Sequence, residues 1–258
     1  MSTKTTIDET CPMRVSAIVP ARNEAECIGS VVRGLLAQRD QHGEQFIAEV
    51  VVADNGSSDD TTRIAQQAGA RVVYVSEPGY GRACWEAAQV ATGQVLLFVD
   101  GDGAADPDEA RHLLADISGG ADLAIGVRLR PEPGSMSVAQ RFGNRLACAL
   151  MYAIWRAPSV DLGPYRAVRR SAFDTIQMRD RGFGWTVEMQ VRAHLLGLVV
   201  TQRPVRWRTR IAGQSKISGT VRGVINAGIG IIGMIARLWW QERRRFVSTS
   251  GTMRSPSS

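Results

Sequence analysis

The chain has 258 residues, 44% of them hydrophobic and 22% charged, with a formal net charge of +6. That is enough for one large α/β domain or two small ones, and it excludes a disordered or low-complexity protein. Four cysteines, Cys11, Cys27, Cys84 and Cys148, show no metal-ligand spacing, so a reduced cytoplasmic setting is expected rather than a disulfide framework.

Met1–Met13 is polar and expected to be a mobile tail, without the apolar run of a signal peptide. Val15 to Val19 reads as a short buried strand. It leads into the polar loop Pro20-Ala21-Arg22-Asn23-Glu24 and a helix whose Ile28, Val31, Val32, Leu35 and Leu36 recur at helical spacing. A second strand, Glu49 to Ala53, runs into Asp54-Asn55-Gly56-Ser57-Ser58-Asp59-Asp60-Thr61, where Ser58 or Asp59 suits the cap of a helix reaching Ala68. Arg71 to Ser76 is a third strand. The glycine-bearing loop Glu77-Pro78-Gly79-Tyr80-Gly81-Arg82 follows, then a helix to Ala91.

Val95-Leu96-Leu97-Phe98-Val99 is the central strand, apolar throughout and therefore buried on both faces. It ends in Asp100-Gly101-Asp102, on a loop at the carboxyl end of a strand, where ligands bind in open α/β sheets. Asp106-Pro107-Asp108-Glu109 then reads as a capping box opening the next helix. Two carboxylates one residue apart, between glycines that let the backbone turn, suit Mg²⁺ or Mn²⁺. Such ions take a few carboxylate oxygens and leave the rest to phosphate and water. The bland alternative is an acidic turn, since Asp-Gly is a common turn dipeptide. Leu123 to Val127 is a fifth strand, ending at Arg128.

Repeated strand–helix alternation predicts an α/β fold with a mostly parallel, Rossmann-like sheet and helices on both faces. No Gly-x-Gly-x-x-Gly follows the first strand and no Gly-x-x-x-x-Gly-Lys-Ser/Thr occurs. A dinucleotide-binding oxidoreductase and a P-loop NTPase are therefore disfavoured.

The rim motifs Pro20-Ala21-Arg22-Asn23-Glu24, Asp54 to Thr61, Gly79-Tyr80-Gly81-Arg82 and Asp100-Gly101-Asp102, in this order, resemble the family 2 glycosyltransferases of GT-A fold. Each motif alone is weak, and four in register are strong. The resemblance runs from about Arg14 to Arg222. It implies that Pro20, Ala21, Glu24 and Asp54 grip the base and ribose of a nucleotide-diphosphate sugar. Asn55 stands where the family often has a second Asp and is given no direct role. Gly81 and Arg82 would lie beside the donor, the glycine allowing close approach and the arginine reaching a phosphate. Arg128 counts with the donor residues. Asp102 would bind the metal, and Asp100 the metal or ribose.

The second half carries further resemblance. Ser137 to Trp155 reads as a helix with Phe142, Leu146, Leu150 and Ile154 on one face. Asp161-Leu162-Gly163-Pro164-Tyr165-Arg166 through Arg170 resembles a segment of the polyprenyl-phosphate (dolichyl-phosphate) sugar transferases of the family. So do Gly182-Phe183-Gly184-Trp185-Thr186-Val187-Glu188, and Arg208-x-Arg210 with Gly213-Gln214-Ser215-Lys216. The resemblance implies acceptor-side carboxylates at Asp161 and Glu188. Either would serve as general base toward a hydroxyl; neither is needed toward an ionised lipid phosphate. Arg166, Arg208, Arg210 and Lys216 would hold the acceptor phosphate, with Lys216 counted among the catalytic residues.

Positive charge gathers after Arg128, and Lys4 and Lys216 are the only lysines. A basic half suits phosphate-bearing ligands or an anionic membrane surface. Nucleic acid is not an expected partner, because aromatic–basic interleaving and DNA-binding motifs are missing. Gly223 to Ala236 is uncharged, short of a bilayer core at ~1.5 Å per residue, and precedes Trp239-Trp240 and Arg243-Arg244-Arg245. An interfacial anchor and a core-packing helix with a solvated basic end both fit. Val247–Ser258 is a second polar tail.

The expected organisation is a tail (1–13), a GT-A domain (14–222) and an apolar, basic helix (223–246) before the last tail (247–258). The domain divides into a nucleotide-sugar half (14–128) and an acceptor half (129–222). The expected activity is inverting, metal-dependent hexosyl transfer to polyprenyl phosphate, at the cytoplasmic face of the membrane. A small soluble hydroxyl acceptor is the alternative, and a sugar-phosphate nucleotidyltransferase the second. The sugar, the nucleotide and the oligomeric state are left open.

Overall fold

The computed structural model describes residues 13–40, 43–129, 131–209 and 221–251, with the side chains of the last stretch described from 228 to 243. In chain order the first half gives β1 (Val15–Ala21), α1 (Ile28–Leu36), β2 (Ile47–Asp54), α2 (Thr61–Gln67), β3 (Arg71–Tyr74), α3 (Tyr80–Val90), β4 (Val95–Phe98), α4 (Ala110–Ser118) and β5 (Leu123–Val127). All five strands expected from the apolar runs form. The second half adds α5 (Val138–Trp155), β6 (Arg166–Arg169), α6 (Arg170–Ile176), α7 (Trp185–Leu195), β7 (Val200–Pro204) and α8 (Val221–Gly251).

The strands form one sheet of order β3-β2-β1-β4-β6-β5-β7. β6 pairs antiparallel with both β4 and β5, whereas the other pairings are parallel. This is the α/β architecture the alternation predicts, with two strands the apolar pattern does not reveal. β6 reads Arg-Ala-Val-Arg, and β7 reads Val-Thr-Gln-Arg-Pro at the sheet edge, where proline is tolerated.

Apolar residues of the central strands alternate between two layers, as strand geometry requires. Ala17, Val19 and Leu97 pack with Val31, Val32 and Leu35 of α1 and Leu113 and Ile117 of α4. Ile18, Leu96 and Phe98 pack with α3, α6 and α7 on the opposite face. There Phe98, Phe173 and Trp185 stack with ring centroids 5.9–6.1 Å apart. A third cluster joins Ala147 and Met151 of α5, Val187 and Val191 of α7, and Met234, Ile235 and Leu238 of α8.

Several local expectations are corrected. Met13, assigned to the tail, packs against the core. Pro107–Glu109 forms a 3₁₀ turn. Asp106 accepts from the Asp108 N–H, and Glu109 turns to His112 and Arg206, so no capping box forms there. A capping box does open α5, between Ser137 and Gln140. The Phe142, Leu146 and Ile154 stripe of α5 is exposed, because the helix buries Ala147, Cys148 and Met151 instead. α8 runs through Gly251, beyond the expected limit of 246. No helix among the described residues is long and apolar enough to cross a membrane.

Candidate functional site

A cavity of about 970 Å³ opens at the carboxyl ends of β4 and β5. Tyr80, Asp100, Asp102 and Arg128 line its sheet side. Val138, Ala139 and Phe142 of α5, Phe183, Trp207 and Ile231 of α8 give it apolar walls. Asp100 and Asp102 both line it, as the loop after the central strand predicts. Asp102 is nearly buried, not on an open rim, and accepts from the Ala104 N–H at 2.9 Å. Asp100 accepts from the Tyr80 hydroxyl at 3.0 Å. Burial, and then the Asp100 charge, push the Tyr80 phenol well above its ordinary range, which keeps it a donor.

The described residues contain no group of three or more His, Cys, Asp or Glu that could hold a metal. Two carboxylates lining that cavity still fit Mg²⁺ or Mn²⁺, which take most of their remaining ligands from diphosphate and water. The donor set is therefore adequate for a cation that arrives with its nucleotide.

Arg128 is a cation beside them on the same side of the cavity. Its Nε and Nη2 donate to the two oxygens of Asp161 at 2.9 and 2.7 Å, and its own backbone N–H adds a third bond at 2.8 Å. The guanidinium lies 5.3 Å from the Trp207 ring centroid. Burial opposes the Arg128 charge, but the hydrogen bonds and charge of Asp161 outweigh it and raise its pKa. Burial likewise opposes the Asp161 charge, and Arg128 more than compensates, holding the carboxyl below its ordinary value. Asp161 thus orients Arg128 and is not a free base.

Other expected acceptor groups are spent elsewhere. Glu188 is buried and accepts from the backbone N–H groups of Arg179 and Asp180 at 2.9 and 2.7 Å, with Arg192 at 3.4 Å. Its carboxylate anchors that loop and does not line the cavity, which corrects its reading as an acceptor-side base. Arg166 is corrected more firmly. It is wholly buried, bonded to the carbonyls of Gly163 and Thr186, and burial brings its pKa down to about 10. No acceptor phosphate reaches it there. Arg208 pairs with Asp106 at 2.7 Å. Arg210 and Lys216 lie outside the described residues.

Where the nucleotide is expected, the loops after β1 and β2 are tied together. Asn23 adopts φ +49° and joins both chains: its N–H donates to Ser57 Oγ and its Oδ1 accepts from the Ser58 N–H. The Glu24 N–H donates to Thr61 Oγ1 at 2.7 Å. Asp54 uses one oxygen on the Ser57 N–H and the other on the Thr62 hydroxyl, so it braces the loop that Pro20, Ala21 and Glu24 adjoin. Gly81 and Arg82 do not line the cavity. A Cβ at Gly81 would meet the Asp180 carbonyl at 2.8 Å, so its bareness admits the 180–182 backbone rather than the donor. Arg82 pairs with Glu77 at 2.5 Å. Tyr80 and Trp207, unassigned from sequence, line the cavity instead; an aromatic between two rim glycines was the signal for Tyr80.

Comparison with known proteins identifies the family and agrees with the fold. The model of glycosyl transferase family 2 matches residues 16–177. An uncharacterized glycosyltransferase of Mycobacterium bovis is 33% identical over 214 residues, 83% of this chain and 94% of that protein. A dolichyl-phosphate hexose transferase of Haloferax volcanii is 30% identical over 90% of this chain and 96% of its own. Glucosyl-3-phosphoglycerate synthase of Mycobacterium tuberculosis, solved with Mn²⁺, uridine diphosphate and glucosyl-3-phosphoglycerate, superposes with a TM-score of 0.67 at 21% identity. The superposition covers 87% of this chain and 80% of that one.

Proposed function

The chain belongs to glycosyl transferase family 2, and from that premise we propose that it transfers a hexose from a nucleotide-diphosphate sugar to a polyprenyl phosphate, with inversion at the anomeric carbon. The nucleotidyltransferase alternative falls with the family match. Asp102 and Asp100 would hold Mg²⁺ or Mn²⁺, which when bound supplies Lewis-acid stabilisation of the leaving diphosphate.

The observation that carries the acceptor class is the composition of the cavity. Asp100, Asp102 and Arg128 lie in one part of the lining, and α5 and α8 add Val138, Ala139, Phe142 and Ile231 beside the polar Gln140, Arg141 and Asn144, with Phe142, Leu146, Ile229 and Ile232 of the same helices exposed. A polyprenyl phosphate joins an anionic head to an apolar chain. Both candidate bases, Asp161 and Glu188, are engaged in structural bonds, which suits a phosphate nucleophile already ionised at neutral pH. Arg128, preset by Asp161 and Trp207, would meet a phosphate with little reorganisation. The relationship to the dolichyl-phosphate hexose transferase supports the same reading. Peripheral contact with the membrane that carries the acceptor belongs to this proposal.

The test is transfer from a panel of nucleotide sugars, with Mn²⁺, to polyprenyl phosphate in detergent and to soluble alcohols and phosphate esters. Transfer to the lipid phosphate is expected, with Arg128→Ala costing more in acceptor kcat/KM than Glu188→Gln. Transfer confined to a soluble alcohol, with Glu188→Gln reducing kcat by 10²-fold or more, would install the hydroxyl-acceptor reading.

A further inference from the structure

We propose that Tyr80 is a positioning residue of the donor site: its hydroxyl fixes the Asp100 carboxylate toward the cation and diphosphate, and the loop 179–184 fixes Tyr80. This rests on the metal-dependent reading above.

The bond from Tyr80 Oη to Asp100 is 3.0 Å, and both residues line the cavity. A neutral donor suits the task. It restrains one carboxylate oxygen without cancelling the charge that a divalent cation needs, as an arginine would. Arg128 lines the same cavity and already feels the Asp100 charge.

Tyr80 itself is held by its neighbours. The Gly79 N–H donates to Asn55 Oδ1 at 3.2 Å. The Gly81 and Arg82 N–H groups donate to the carbonyls of Gly182 and Arg181 at 3.1 and 2.9 Å. Those are first-turn donors of α3, which a helix leaves without internal partners. The loop therefore acts as the cap of α3, and Gly79 is bare because a Cβ there would stand 2.3 Å from the Arg181 carbonyl. Glu188 secures the far side of the loop through Arg179 and Asp180, and Arg181 stacks 4.3 Å above Trp85 of α3. The same loop sends Phe183 into the acceptor wall. One segment thus touches the acceptor space and, through Tyr80, orients the donor carboxylate.

The experiment measures Mn²⁺ binding by paramagnetic resonance in the presence of uridine or guanosine diphosphate, beside steady-state kinetics. Tyr80→Phe should weaken Mn²⁺ about tenfold, raise donor KM, leave acceptor KM in place and recover rate at high Mn²⁺. In an Asp100→Ala background the same change should add nothing. Gly79→Ala should reproduce the Tyr80→Phe shift without adding to it. Unchanged Mn²⁺ affinity in Tyr80→Phe, or an equal loss without Asp100, overturns the role of the hydroxyl. Normal Mn²⁺ binding by Gly79→Ala overturns the role of the loop. Absence of any diphosphate-dependent Mn²⁺ binding by the unaltered protein overturns the metal reading itself, and this proposal with it.

Discussion

The Arg128–Asp161 pair shows how one residue can be misread when its partner is unknown. Asp161 sits buried under a guanidinium that takes both its oxygens. Removing one partner of a buried pair strands the other, at a cost of about 3–5 kcal/mol. Asp161→Ala should therefore lose stability of that order by urea denaturation, together with activity. The sign of its pH dependence follows from the depressed folded pKa. The pair's contribution is full above the ordinary carboxyl value of 3.8 and is lost as pH falls through the lower folded value. The stability gap between the unaltered protein and Asp161→Ala should accordingly narrow below pH 4; a gap constant down to pH 2 would contradict the assignment. Asp102 predicts the opposite balance. Its carboxylate accepts from the Ala104 N–H, a bond worth about 1 kcal/mol, so Asp102→Ala should cost far more in transfer, which it abolishes, than in Tm.

At the scale of elements, β6 holds the molecule together from inside the sheet. Arg169 at its end and Arg170 at the start of α6 act as helix caps across both layers. Arg169 donates to the carbonyl of Ile117 in the last turn of α4 and to that of Ala121 just beyond the helix. Arg170, the first residue of α6, donates to Ala88 and Ala91 at the end of α3, each at 2.7 Å. Terminal carbonyls of helices have no internal donors, and a cation there also meets the negative end of the dipole. Hydrogen bonds from charged groups are worth ~1.5–3 kcal/mol each. Arg170→Ala should thus destabilise the fold measurably by urea titration and leave donor KM unchanged at low temperature. A change in donor KM with intact stability would mean that the side chain serves the site directly.

Among the described residues, α5 and α8 leave large apolar side chains exposed. Val138, Phe142, Leu146 and Tyr152 of α5 and Ile229, Ile232, Trp239 and Trp240 of α8 are exposed, with Arg141, Arg145, Arg237 and Arg243 among them. Arg243 lies 4.3 Å over the Trp239 ring. Apolar residues with basic neighbours bind an anionic surface through burial and charge together. Co-sedimentation with vesicles rich in anionic lipid should therefore exceed that with zwitterionic vesicles and fall as salt rises. Phe142→Ser with Trp240→Ser should reduce it severalfold without lowering Tm. Equal binding to both vesicle types would remove charge from the account.

The sequence by itself determined the five strands of the parallel sheet, the helices between them and the loop that carries Asp100 and Asp102. Those features are local: short apolar or β-branched runs of strand length, bounded by polar and glycine-bearing turns and alternating with helical periodicity, read as strands. Tertiary structure decided the rest. β6 is invisible locally because its arginines are satisfied only in the fold, Arg169 by carbonyls 48 and 52 residues away and Arg166 by the buried carbonyls of Gly163 and Thr186. Asp161, Glu188 and Arg166 have the residue types of an acceptor site, yet their charges are satisfied by Arg128, by the 179–180 backbone and by buried carbonyls. Tyr80 gained its place only when the 181–182 carbonyls capped α3 beside Asp100. A charged side chain's role depends on which partner reaches it first in the folded chain, and spacing along the sequence does not encode that.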